Sequence, residues 1–310
     1  MCSGHRDITT RMNLDSQKVL RLGHSPDPDD AFMWYPLANF PNGSGPGGKT
    51  FRTQIDTGGY EFVHVLEDIQ SLNDRAANAE LEITAISIHQ YAHVARNYAL
   101  TSCGASLGDG YGPMVITGQN QLTIEDLKSG VNIAIPGTRT TAHLALQLLL
   151  GKGAYEFQVV PFDQIIPRVA RGEYDAGLII HEGQLTYGGA GLRCIVDLGK
   201  WWSQTRRLPL PLGGNCIRRD LNLEMGHICT ILRQSIEFAL VHREDAITYA
   251  LNYARDMGRD LADTFVGMYV NDWTLDYGEV GRRAVQELLT EAAEAGITPS
   301  CGEIDFVEPT

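Results

Sequence analysis

The chain has no C-x-x-C pair and no recurrent cysteine spacing; its six cysteines stand at positions 2, 103, 194, 216, 229 and 301. That scatter excludes a zinc ribbon and a disulfide framework, and suits reduced, mostly buried thiols. No apolar run approaches the ~20 residues that a membrane span needs, so no membrane insertion is expected. Residues 1–18 are polar and lack an apolar core, so they read as an N-terminal extension and not as a secretory signal. Cys2 does not make them a lipoprotein leader, because no apolar segment precedes it, and a cytoplasmic location is expected. Basic residues are scarce: 25 Lys and Arg stand against 38 Asp and Glu, for a formal net charge of −13. A nucleic-acid partner is thereby excluded, since binding that backbone takes clustered Lys and Arg. A small anionic organic ligand is not, because a few backbone N–H groups and one His override the global field locally. There is no G-x-x-x-x-G-K-[ST], and no G-x-G-x-x-G follows a strand, so nothing implies a nucleotide cofactor.

What remains is an ordinary globular composition, 43% apolar and 20% charged over 310 residues. That length exceeds what one core usually fills, so two lobes are expected. Short apolar runs alternate with helical patterns, as in βα units stacked into parallel sheets. Val19–Gly23 reads as a first strand, followed by the polar turn Ser25–Asp30 and a helix opening at Ala31-Phe32-Met33. Residues 42–49 (NGSGPGGK) read as a loop, Phe62–Val65 as a strand, Leu66–Ala79 as a helix and Ile83–Ile86 as a strand ending at Ser87. Cys103–Pro113 is rich in glycine without periodicity and reads as a shaped loop. Met114–Ile116, Val131–Ile135 and Ala176–Ile180 read as strands, and Ala142–Leu150 as an apolar helix. From about Leu223 the pattern is largely helical, with caps such as Asp260 and Gly296. The expected crossings divide the chain into a discontinuous first lobe, 19–113 plus 209–310, and a second lobe, 114–208. A lobe interrupted by another is the layout of type II periplasmic-binding-protein-like α/β folds, with a cleft between the lobes.

In open α/β sheets ligands bind at the carboxyl ends of strands. Four polar clusters fall at such ends: Ser25–Asp30, Ser87, Thr138–Ala142 and His181. Thr141-Ala142 opens a helix, whose first turn carries free N–H groups suited to a carboxylate or phosphate; simple N-capping by Thr is the alternative. Ala142 lets a ligand approach the backbone, and the Thr141 hydroxyl is expected to add a hydrogen bond. His181, leaving an apolar strand at the cleft rim, is a candidate general base or a structural imidazole. Its neighbour Glu182 either orients it or faces solvent. His89 and His93 have the i, i+4 spacing of helical metal ligands, but Gln90-Tyr91-Ala92 between them lacks the glutamate of the metalloprotease motif, and no metal site is expected. Asp27, Asp29 and Asp30 suit a hard cation or, more simply, an Asp-Pro turn that caps the next helix.

Taken in order, SPDPDDAF (25–32), TAISIH (84–89), GASLGDGYGP (104–113), IPGTRTTA (135–142), IHEGQLTY (180–187) and the stretch from Asp197-Leu198-Gly199 to Pro209–Gly213 make the chain resemble the 1,4-dihydroxy-6-naphthoate synthase family of the futalosine route to menaquinone. The resemblance spans roughly residues 19–220. It implies the two-lobed fold and cleavage of cyclic dehypoxanthinyl futalosine to the dihydroxynaphthoate, with neither metal nor organic cofactor. By motif it makes His181 the proton acceptor, and Ala85, Ile86, Ser87, Thr141 and Ala142 substrate contacts. Asn73 matches a family Asn near the pocket. The alternatives are a chorismate dehydratase of the same superfamily, which the IHE stretch disfavours, and a non-catalytic carboxylate-binding or sensor protein. One stretch departs from the family pattern: SPDPDDAF stands where the family has SPCPNDTF. The added carboxylates place negative charge near the cleft, which is expected to disfavour an anionic substrate.

Overall fold

The computed structural model describes residues 18–119, 122–254 and 257–310. The expected N-terminal extension therefore lies outside the described residues, except for Lys18, which already belongs to the first strand. The chain opens with β1 (Lys18–His24), α1 (Pro28–Trp34), β2 (Tyr60–Leu66), α2 (Ile69–Ala77), β3 (Ile83–Ser87), α3 (Ile88–Val94), β4 (Tyr98–Thr101) and β5 (Ser106–Gly108). It continues through β6 (Met114–Thr117), β7 (Asn132–Ile135), α4 (Thr141–Leu150), β8 (Glu156–Val159), α5 (Phe162–Ala170), β9 (Ala176–Ile179), α6 (Gly183–Thr186), β10 (Arg193–Asp197) and α7 (Leu198–Arg206). Then follow β11 (Leu210–Arg218), the helices α8 (Glu224–Val241), α9 (Arg243–Ala250), α10 (Arg259–Tyr269), α11 (Asp272–Leu275) and α12 (Gly278–Glu294), and the short β12 (Phe306–Val307).

Two sheets organise two lobes. One runs β12-β4-β11-β3-β1-β2 with β5 added on β11, and the other runs β10-β6-β9-β7-β8. Side-chain alternation explains β1: Leu20 and Leu22 are fully buried while Val19 is exposed. β3 lies in the interior of its sheet and is buried at every position, as an uninterrupted apolar run covered on both faces should be. The sheets are mixed rather than parallel. β11 runs antiparallel to β3, β4 and β5, and β6 antiparallel to β9 and β10. β6 carries the chain from the first sheet into the second and β11 brings it back, so each lies against neighbours of opposite direction. One buried apolar cluster joins Ile86 and Leu100 of the first sheet to Ile133 and Leu178 of the second, so the lobes share a core on one side of the cleft.

Local readings need four corrections. The first helix opens at Pro28, not Ala31, because Pro at the first helical position supplies the right φ and lacks an N–H that would be orphaned there. Leu66 still belongs to β2, and α2 begins only after Asp68, whose side chain caps it by accepting from the backbone N–H groups of Gln70 and Ser71. The glycine-rich stretch before β6 contains β5, whose ladder comes from β11, about a hundred residues away, and not from local periodicity. Gly258 is the N-cap of α10, and Asp260 lies inside the first turn. Gly296 does follow α12, in the left-handed region at φ 67. The 42–49 stretch forms two short 3-10 turns, Pro41–Gly43 and Pro46–Gly48.

Candidate active site

A cavity of about 120 Å³ lies where the strands of both sheets end. Its wall includes Ser25, Ser87, Thr141 and His181, one residue from each of the four polar strand ends. Ala85, Ile86 and Ala142 line it as well. Asn73 does not. It is fully buried behind Ser87, donating from Nδ2 to the Ser87 hydroxyl (3.0 Å) and accepting the Ser87 backbone N–H on Oδ1 (3.0 Å). With its oxygen fixed as an acceptor, the Ser87 hydroxyl keeps its own proton for a ligand.

At the start of α4 the cap is Thr140, whose hydroxyl accepts from His143 N–H and donates to Gly137 O (2.9 Å). The Thr141 hydroxyl is spent inside the protein: it donates to Leu212 O (2.5 Å) and accepts from His89 N–H (3.2 Å). What the helix offers the cavity is thus its first backbone N–H groups, at Thr141 and the small Ala142, together with the positive end of its dipole.

The three aspartates before and within α1 have three different fates. Asp27 is the N-cap by position, yet its side chain makes no capping bond. Its carboxylate meets His181 Nδ1 at 3.2 Å. Asp30 accepts Ser25 N–H at 2.7 Å, and burial, opposed by that bond, moves its carboxyl up to about 6. Asp29 is pushed well above the usual carboxylate range, first by burial and then by repulsion from Asp30 and Asp27. The two added carboxylates thus differ: Asp27 is paired with a histidine, and Asp29 is held well above the usual carboxylate range. Behind Ser25, the buried His24 donates from Nδ1 to Ser25 O (2.9 Å), which makes its Nε2 the acceptor for His64 Nδ1–H (2.8 Å).

His181 sits two residues beyond β9 in the left-handed region at φ 55, uncommon for a residue with a Cβ. The Phe162 ring meets its imidazole edge-on, with centroids 4.9 Å apart. Nδ1 faces Asp27, and Nε2 has no protein hydrogen-bond partner among the described residues. The sequence pointed neither to the Asp27–His181 pair nor to Gln184, Tyr269 and Asn215 as part of this wall. Tyr269 donates to Gln184 Oε1 at 2.8 Å, tying α10 to α6. Asn215, which lines the cavity, donates to Gly104 O (3.0 Å), and its buried Oδ1 has no partner among the described residues. These contacts join residues far apart in sequence and leave no local signal.

A family model described as menaquinone biosynthesis matches residues 20–294. The chain belongs to that family. Among family relatives, a 1,4-dihydroxy-6-naphthoate synthase of Thermus thermophilus is 37% identical over 281 residues, covering 90% of this chain and 96% of the relative. One from Streptomyces coelicolor is 34% identical over 292 residues, covering 93% and 97%. A crystal structure from Archaeoglobus fulgidus matches with a TM-score of 0.80 at 43% identity, covering 90% of this chain and 98% of that one. The ligand-binding component of an ABC-type import system from Staphylococcus aureus matches at TM-score 0.68 and 12% identity, covering 94% and 97%, and shows the two-lobed binding-protein fold alone. Among the described residues no helix is long and apolar enough to cross a membrane.

Proposed function

We propose that the chain is a 1,4-dihydroxy-6-naphthoate synthase, converting cyclic dehypoxanthinyl futalosine to 1,4-dihydroxy-6-naphthoate with no metal or organic cofactor. The observation that carries the reading is the meeting, in one cavity, of a histidine with an unpartnered Nε2 and the open N-terminus of α4. The substrate carboxylate lies against the N–H groups of Thr141 and Ala142, where the helix dipole favours negative charge. The strand end Ala85-Ile86-Ser87 packs along the substrate, and the Ser87 hydroxyl donates to it, while Asn73 fixes that hydroxyl from behind. His181 takes a proton through Nε2, the electrons of the broken C–H bond drive out the sugar-derived part, and formation of the aromatic ring supplies the driving force. Burial and the neighbouring Asp30 and Asp27 push the Asp29 carboxyl well above the usual carboxylate range, which opposes its carrying a charge toward the substrate.

A positioned base contributes about 10²–10⁴-fold, and holding the substrate between the lobes supplies much of the rest. We place the first lobe at 19–113 plus 209–310 and the second at 114–208, supported by the passage of the chain between sheets before β6 and after β10. Cysteines without disulfide partners among the described residues favour a cytoplasmic setting. The test is to mix purified protein with cyclic dehypoxanthinyl futalosine and follow the naphthoate by absorbance and mass. Wild type should form product, and His181→Ala should lose about 10²–10⁴ in turnover while still binding product. No product from wild type sinks the activity; unchanged turnover in His181→Ala sinks the base.

A further inference from the structure

Asp27 occupies an N-cap position, where a short acidic side chain normally accepts from the second or third N–H of its helix. Here that bond is missing, although the backbone has the extended conformation of a cap (φ −84, ψ 154). The side chain is only 5% exposed, so it is not solvated instead. Its one side-chain partner among the described residues is His181 Nδ1, at 3.2 Å. The partners come from different lobes: Asp27 follows β1 of the first sheet, and His181 follows β9 of the second. The backbone around each is constrained toward this meeting. Asp27 N–H donates to the Ser25 hydroxyl (3.2 Å), Pro28 fixes the next φ, and His181 is held at φ 55 with Phe162 against its ring. A left-handed non-glycine residue is costly and persists where its surroundings hold it.

We infer that Asp27 is the positioning residue of the base, holding His181 in the Nδ1–H tautomer across the cleft so that the Nε2 lone pair faces the substrate. A carboxylate only accepts, so at this 3.2 Å ion-pair contact it favours the proton on Nδ1 and leaves the other ring nitrogen as the base. The same contact supports the imidazolium once Nε2 has taken the substrate proton. It also makes the base complete only where the two lobes meet.

This inference rests on the proposed role of His181, and its test separates the two. ¹⁵N NMR of the imidazole reads the tautomer without any substrate, and kinetics with cyclic dehypoxanthinyl futalosine reads its consequence. Wild type should show a protonated Nδ1 and an unprotonated Nε2 at His181. Asp27→Asn is nearly isosteric and offers Nδ1 an amide donor, so it should shift the ring to the Nε2–H form. It should lower kcat by about 10²–10⁴ with KM changed less than about threefold, because the substrate contacts are untouched. Asp27→Ala should give a mixture of tautomers and an intermediate kcat. A wild-type tautomer and kcat in folded Asp27→Asn, its folding checked by melting temperature, would overturn the inference while leaving the lyase reading intact. An inactive wild type with the expected tautomer shift would do the reverse.

Discussion

Thr141 carries two jobs with one hydroxyl. It donates to Leu212 O just inside β11 and accepts from His89 N–H at the start of α3, so three segments meet at a single oxygen. Thr141 is 2% exposed and His89 likewise, so neither bond is replaced by water when lost. Thr141→Val keeps the shape and deletes the hydroxyl, leaving the half-buried Leu212 carbonyl and the buried His89 N–H unpaired. Each such orphan costs about 1–3 kcal/mol. The expected outcome is a destabilisation of about 2–4 kcal/mol in urea unfolding, with a raised KM because the start of α4 shifts. A variant within about 0.5 kcal/mol of wild type would mean the two bonds are not formed. His89 also ties α3 to the start of α4 through its ring: its Nδ1 lies 3.1 Å from Thr140 O, and burial brings its pKa down to about 3. The residue scale also shows why a motif understates a site. Ser87 and His181 were readable because each follows an apolar strand, whereas the partner of His181 lies more than 150 residues upstream in a turn that composition explains equally well as a helix cap.

Among the elements, α7 is seated by a glycine. A Cβ on Gly199 would overlap the Tyr111 carbonyl, and Gly112 meets the same backbone from the other side. The first turn of α7 therefore lies directly on the segment that enters β6, and Leu198 N–H donates to Pro113 O at 2.8 Å. Gly199→Ala forces two backbones apart and should cost at least about 2 kcal/mol, as overpacking against an unyielding partner does. A lowered urea midpoint with unchanged slope is the expected reading; an unchanged midpoint would show that this seat yields. The elements that shape the cleft were largely legible. β1, β3, β7 and β9 carry their own apolar runs, and α4 its continuous apolar face. Among the elements that escaped, β5 leans on β11 and β12 on β4, partners far away in the chain, while the exposed edge strand β8 has only β7 beside it. Antiparallel pairing of β6 and β11 follows from chain routing, which no window of sequence encodes.

At the scale of the whole molecule, the buried histidines oppose the raised aspartates. Burial brings His24 down to about 3, His64 to about 4 and His89 to about 3, and lowers His143 as well. For each, the unfolded chain binds a proton below about 6.5 that the folded chain refuses. Stability therefore holds above that pH and is lost as pH falls toward the folded values. Asp30, raised to about 6, and Asp29 act with the opposite sign: the folded chain holds their protons more tightly, which favours folding as pH falls from about 6 toward 4. Glu82, whose burial is outweighed by its bonds from Arg21 so that its carboxyl falls to about 2, titrates below this window. His93, lowered to about 4, joins the histidines and Asp197, raised by burial, joins the aspartates; five histidines against three aspartates leave the acid side the loser. The melting temperature should be flat from pH 8 to 7 and fall by about 5 °C or more between pH 7 and 5, before the ordinary carboxylates titrate. A melting temperature that rises over that interval would mean the aspartate pair dominates, and Asp29→Asn should then abolish most of the rise. If it falls as expected, His24→Gln should flatten part of the fall, since that ring sits behind Ser25 at the floor of the cleft and has the least access to water.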